Sequence, residues 1–166
     1  MGCDVFMSYT SVKDMYGAVE KFREHLEVEL RKKTGNVSLT VFRDKRNIRG
    51  GDNWEQILTE ELTSARLLLV LLSPSWLRSE WCRKEYKLFL AAERDGAMSR
   101  PIVPLIWDKV TESDYAKTSE EAKVLAQLRT YQVLTWDELQ YEDWAAPKPN
   151  KAAGKLAEEL KPKLMD

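Results

Sequence analysis

Apolar residues follow two alternating rhythms along this chain. Val5-Phe6-Met7 is a short apolar segment near the start, and from Asp14 to Lys33 the apolar residues Val19, Phe22, Leu26 and Leu30 fall at helical spacing. Gly35-Asn36 breaks that helix, and the alternation of "VSLTVF" predicts a second strand over Ser38 to Phe42. After the polar loop "RDKRNIRGGDN", Trp54, Ile57, Leu58 and Leu62 mark another helix, with Asn53 as a candidate cap. "LLLVLL", Leu67 to Leu72, is apolar at every position, as expected of a central strand covered on both faces. A helix over Ser79 to Arg94 follows. Ile102 to Trp107 predicts a fourth strand, in which Pro104 argues for an edge or bulged position. Ser119 to Arg129 reads as a helix, "YQVLTW" as a weak fifth strand, and Lys151 to Leu164 as a closing helix after the "APKPN" break.

Strand and helix alternate throughout, which predicts an α/β fold: a parallel sheet with helices on both faces. Five strands suggest a flavodoxin-like three-layer sandwich of strand order 2-1-3-4-5. There are no internal repeats. The 166 residues suit one domain spanning 1–166, either whole or the N-terminal part of a longer protein.

Composition narrows the partners. With 26 basic against 27 acidic side chains, no global field favours nucleic acid or an anionic membrane. No run approaches the roughly 20 apolar residues that span a bilayer, and "MGCDVFMSY" carries no secretory or myristoylation pattern. Cys3, Cys82 and His25 are the whole complement of those two residue types, which excludes a disulfide framework or a structural zinc cluster. A soluble cytoplasmic protein without metal or cofactor is the expectation.

The predicted strand order opens a crevice beyond the carboxyl ends of strands 1 and 3, where ligands bind in such sheets. Ser8, Tyr9 and Thr10 reach it from strand 1, and Ser73, Pro74, Ser75 and Trp76 from strand 3, with Arg43 and Asp44 at its border. Trp81 and Glu85 lie four apart on one helix face and reach the same place. An indole beside a carboxylate excludes water and strengthens the carboxylate's interaction with a nearby cation. An acidic side chain on a helix is most often simply solvated, and large indoles usually serve the core, so this cluster carries a bland reading beside the functional one. Cys82 reads as a small buried residue and His25 as a surface or boundary one. The basic, Gly-containing loop from Arg43 to Asn53 matches no Walker or GxGxxG pattern and suits a solvated or docking loop.

Together these segments resemble the Toll/interleukin-1 receptor (TIR) domain family over at least Asp4 to Trp107. "DVFMSYTSVKD" is similar to the family's first box, and "VFRDKRNIRGGDNW" to its second box and BB loop. "SPSWLRSEWCRKE" resembles the Ser-x-Trp-Cys-x-x-Glu stretch of prokaryotic and plant members. One departure is Arg49, where many members carry the BB-loop proline. The resemblance implies either cleavage of the nicotinamide–ribose bond of NAD or non-catalytic scaffolding through homotypic contacts. Glu85 matches the enzymatic glutamate. Phe6, Ser8, Tyr9, Arg43, Asp44, Ser73, Trp76 and Trp81 are then the candidate substrate-binding residues, and Arg46, Asn47, Ile48, Arg49 and Gly50 the interaction loop.

A single carboxylate is chemically sufficient for that cleavage. Ordinary glycosidases pair two carboxyl groups because the leaving oxygen needs a proton. Nicotinamide leaves as a neutral pyridine, so the protein need only hold the ribose and stabilise an oxocarbenium-like charge. The leading expectation is an NAD-cleaving TIR domain of bacterial immune or cell-death signalling, with NAD as substrate, activity switched on by self-association, and a sensor that is C-terminal or separate. The rival is a TIR scaffold. A deoxyribosyltransferase-like site leaves the Arg-Asp loop unexplained, and a receiver domain fails because its acidic positions hold Ser-Tyr-Thr and Ser-Pro-Ser.

Overall fold

The computed structural model describes residues 2–10, 17–43, 54–94, 100–135 and 151–165. Its elements run β1 (Val5–Ser8), α1 (Ala18–Thr34), β2 (Val41–Arg43), α2 (Trp54–Ser64), β3 (Leu67–Leu72), α3 (Pro74–Arg78), α4 (Glu80–Arg94) and β4 (Ile102–Ile106). A 3-10 turn at Glu112–Asp114 leads to α5 (Glu120–Leu128), β5 (Leu134–Thr135) and α6 (Lys151–Leu164). The five strands form one sheet in the order β2-β1-β3-β4-β5, every pair parallel, as the alternation predicted.

The uniformly apolar β3 shows how the sheet feeds two cores. Its alternate side chains point to opposite faces. Leu67, Leu69 and Leu71 join Val5, Met7, Val103 and Leu105 beneath α1 and α6. Leu68, Val70 and Leu72 join Phe6 and Ile102 beneath the helices that bear Leu58, Trp76, Tyr86 and Leu125. Each fully buried Leu or Phe stabilises the fold by about 1.5–3 kcal/mol, so a one-residue slip of β3 would exchange two cores at once. Phe6 and Ser8 therefore share the α4 face of β1.

Several expected boundaries move for local reasons. The predicted second strand starts at Val41 and not at Ser38, because a turn occupies its first positions. Asn36 accepts Ser38 N–H on its side chain at 3.0 Å and Leu39 N–H on its carbonyl at 3.2 Å. The expected helix start at Asp14 lies outside the described residues, and the left-handed Gly17 (φ 69°) interrupts any helix running through it. Asn53 and Trp136 also lie outside.

Pro104 is corrected more sharply, since β4 is an inner strand between β3 and β5. The Pro101 carbonyl and the Trp107 N–H both bond to β3, so odd-numbered peptide groups of β4 face β3 and Pro104 faces the other way. On that side the ladder with β5 begins only at Leu105, so the missing N–H removes no rung. The helix expected from Ser79 is preceded by a separate turn of helix, α3. Ser73 caps it, its Oγ accepting Trp76 N–H at 3.0 Å with Pro74 in the first turn. Ser79 closes α3 and then caps α4, accepting Cys82 N–H at 3.2 Å.

Candidate functional site

The site is built where β1 ends. Ser8 is the last residue of β1 and projects toward α4, where Glu85 lies one turn beyond Trp81. Ser8 Oγ donates to Glu85 Oε1 at 3.0 Å, and Trp76 Nε1 of α3 donates to Ser8 Oγ at 2.9 Å. Ser8 and Trp76 are 0% exposed and Glu85 is 1% exposed. A buried carboxylate carries a large desolvation penalty unless hydrogen bonds hold it, and Ser8 supplies one such bond from a neutral group.

The expected site residues sort by what their side chains do. Ser8, Trp76 and Glu85 come together. Phe6 lies two residues earlier on the same strand face, fully buried, with its ring 5.2 Å from that of Phe42, so it is a floor beneath Ser8 rather than an open wall. Tyr9 turns to the opposite face and joins the core under α1. Ser73 is buried and spends its hydroxyl on the α3 cap. Trp76, read both as crevice mouth and as core, is packed inward, edge-on to Tyr86 at 6.5 Å. Trp81 is half-buried, with the Lys84 ammonium 5.1 Å from its ring centroid. Arg43 ends β2 opposite Met7. Asp44, Arg46, Asn47, Ile48, Arg49 and Gly50 lie outside the described residues.

Two contacts at this end of the sheet were not legible in the sequence, although the burial of Cys82 was. Cys82 is fully buried, and its Sγ donates to the Tyr9 carbonyl at 3.5 Å, fastening α4 to the residue after Ser8. Asp108 follows β4 at the same end of the sheet, where its N–H and that of Trp107 share the Leu72 carbonyl at 3.3 and 2.9 Å. Cys3 stands apart: burial, then the neighbouring Glu61 carboxylate, push its thiol well above the ordinary range, the pattern of a structural cysteine. Among the described residues no group of three or more His, Cys, Asp or Glu could hold a metal ion. No helix among them is long and apolar enough to cross a membrane.

A doubly wound parallel sheet with a buried Ser–Trp–Glu cluster at its carboxyl end defines an α/β domain of flavodoxin-like architecture. The TIR domain family model matches residues 5–145, and the chain belongs to that family. It is similar to the NAD(+) hydrolase TirS of Staphylococcus aureus (strain MSSA476), with 31% identity over 111 residues, 67% of this chain and 36% of that protein. The chain thus matches about a third of the length of that relative. Among solved structures it is similar to the TIR domains of the activated Roq1 resistosome directly recognizing the pathogen effector XopQ. There the TM-score is 0.50 at 20% identity, over 94% of this chain and 84% of that one. The TIR domain of the Toll-related receptor TRR-2 from Hydra magnipapillata gives a TM-score of 0.49 at 16% identity, over 81% and 84% of the two chains. The Roq1 likeness shows the fold.

Proposed function

We propose that this TIR domain cleaves the nicotinamide–ribose bond of NAD, with Glu85 as its catalytic carboxylate. The observation that carries the reading is the placement of Glu85: a carboxylate 1% exposed at the carboxyl end of the sheet, held by the Ser8 hydroxyl. It is supported by the likeness to a bacterial protein named as an NAD(+) hydrolase.

In the proposed reaction the C–N bond between C1′ of the ribose and nicotinamide breaks, and its electron pair leaves with the pyridine nitrogen, which becomes neutral. The positive charge left on the ribose is stabilised by anionic Glu85. Water adds to C1′ and releases a proton, giving ADP-ribose; attack by an internal nucleophile of the same molecule gives a cyclic product instead. A carboxylate accepts hydrogen bonds at several lone-pair sites, so one anchored by Ser8 can also receive the ribose hydroxyls. The substrate is NAD itself, and the chemistry calls for no further cofactor.

Glu85 is buried too completely for a dinucleotide to reach it without rearrangement. Self-association of neighbouring TIR domains supplies the binding energy for that step, so the enzyme is weak alone and active when clustered. The setting we propose is cytoplasmic immune or cell-death signalling under a sensor that is C-terminal or separate. The test is nicotinamide release from NAD by the protein, dilute and tethered on beads, for wild type and Glu85→Gln. Release by clustered wild type alone is expected. No release in any clustered state overturns the NAD reading and leaves a scaffold, whereas equal release from the variant overturns the assignment of Glu85 as the catalytic carboxylate.

A further inference from the structure

We infer that Ser8 and Trp76 are positioning residues that orient Glu85. The hydrogen bonds among these three side chains have defined directions. An indole N–H can only donate, so the 2.9 Å bond from Trp76 Nε1 to Ser8 Oγ has one possible polarity. Ser8 in turn donates its single hydrogen to the carboxylate of Glu85, at 3.0 Å to Oε1. The hydroxyl rotor is therefore fixed, and the chain Trp76 → Ser8 → Glu85 runs in one sense toward the carboxylate. All three side chains are buried, so bulk water competes little with these bonds, and successive bonds polarise one another.

Each link is itself anchored. The α3 turn that carries Trp76 is fixed by the Ser73 cap, at 3.0 Å to Trp76 N–H. Helix α4 is fastened to the end of β1 by Cys82, at 3.5 Å to the Tyr9 carbonyl. The carboxylate is thereby located from β1, α3 and α4 together. A group with this role acts on the reaction through the orientation of Glu85, so its loss is expected to fall mainly on turnover.

The kinetic part of this inference rests on the proposed NAD cleavage; the geometric part does not, and the experiment separates them. In the indole-labelled protein, the Trp76 Nε1–H resonance is identified by its loss in Trp76→Phe. Glu85→Gln is expected to shift that resonance through Ser8 while the other indoles stay in place. Nicotinamide release by the clustered protein is then measured for Ser8→Ala and Trp76→Phe. We expect kcat to fall about ten- to a hundred-fold for Ser8→Ala, the range of one hydrogen bond to a charged group, and less for Trp76→Phe, with KM held within about twofold. Trp76→Phe carries the kinetic test if Ser8→Ala does not fold. A rise in KM at constant kcat makes these residues substrate contacts and overturns the inference, as does wild-type kcat in every folded variant. If wild type releases no nicotinamide, the NAD reading fails, and the resonance alone decides: a shift sustains the positioning chain, and an unmoved resonance rejects it.

Discussion

Glu27 and Glu85 are the same side chain placed against the same sheet, and their surroundings use it in opposite ways. Glu27, on α1, lies along the outer edge of β2. One of its oxygens accepts from Val41 N–H at 2.9 Å and from Arg23 at 3.1 Å, and the other from Arg31 at 3.1 Å. Arg23 also donates to the Val41 carbonyl at 3.2 Å, and Arg31 to the Leu39 carbonyl at 2.8 Å. The exposed main-chain groups of the edge strand are thus satisfied by charged side chains of a neighbouring helix, which blunts an edge that could otherwise pair with another strand. Glu85 sits at the end of an inner strand and is anchored by a serine hydroxyl backed by an indole. Two guanidinium groups and an amide make Glu27 a clamp. A carboxylate held through a neutral hydroxyl can still answer a cationic charge that develops beside it.

That contrast is open to attack by substitution. The largest expected effect is on activity: Glu85→Gln lowers nicotinamide release by clustered protein at least about 100-fold, while circular dichroism and Tm show a folded chain. A fall in Tm as large as the fall in activity would make Glu85 a structural group like Glu27. The converse substitution, Glu27→Ala, strands the Val41 N–H and takes one carboxylate partner from Arg23 and Arg31, which keep their bonds to the Val41 and Leu39 carbonyls. It is expected to cost about 1–3 kcal/mol, roughly 3–10 °C in Tm, with release per folded molecule unchanged.

A smaller effect tests how α1 meets α6. The Glu29 carboxylate of α1 is buried, pairs with Lys32 at 3.4 Å, and faces Gly154 of α6. A methyl group at 154 would meet the nearest Glu29 oxygen at 3.6 Å, an ordinary contact. Gly154→Ala is therefore expected to stabilise the protein by about 0.5–1 kcal/mol through helix propensity, read from urea unfolding. Destabilisation would show that this part of the α1–α6 seam has no room for a methyl.

The smallest effect is the solvated extreme of the same series. Lys33 donates to Glu158 at 2.9 Å across the α1–α6 surface, and that hydrogen bond holds the Glu158 carboxyl below its ordinary value. A carboxyl depressed in the folded state adds stability that is present above its ordinary value of 4.5 and is lost as pH falls through the lower folded one. The Tm difference between wild type and Glu158→Gln is thus expected to be slight at pH 7 and to vanish in acid. A difference that grew on acidification would reverse the sign.

The closing helix was legible in full, Lys151 to Leu164, because amphipathic spacing after a proline break is local information. The same holds for the apolar run of β3. The start of β2 was missed because Asn36 offers its side chain to Ser38, a competing local bond that the alternation of "VSLTVF" does not register. Trp76 carried two readings, crevice mouth and core, because an indole after a buried strand reads equally well as a wall or as a core residue; its full burial agrees with the core one.

By itself, the sequence determined the alternation of elements, the parallel sheet and its order, and the position of Glu85 one helical turn after Trp81. Those follow from periodicities of two and 3.6 residues and from Gly and Pro punctuation. Only the tertiary structure decided that Ser8 meets Trp76 across 68 positions and Glu85 across 77, and that Arg23, Glu27 and Arg31 close the edge of β2. Such bonds depend on how α3 and α4 pack over the end of β1 and how α1 lies along β2. No local pattern encodes a hydrogen-bond partner that packing alone brings within 3 Å.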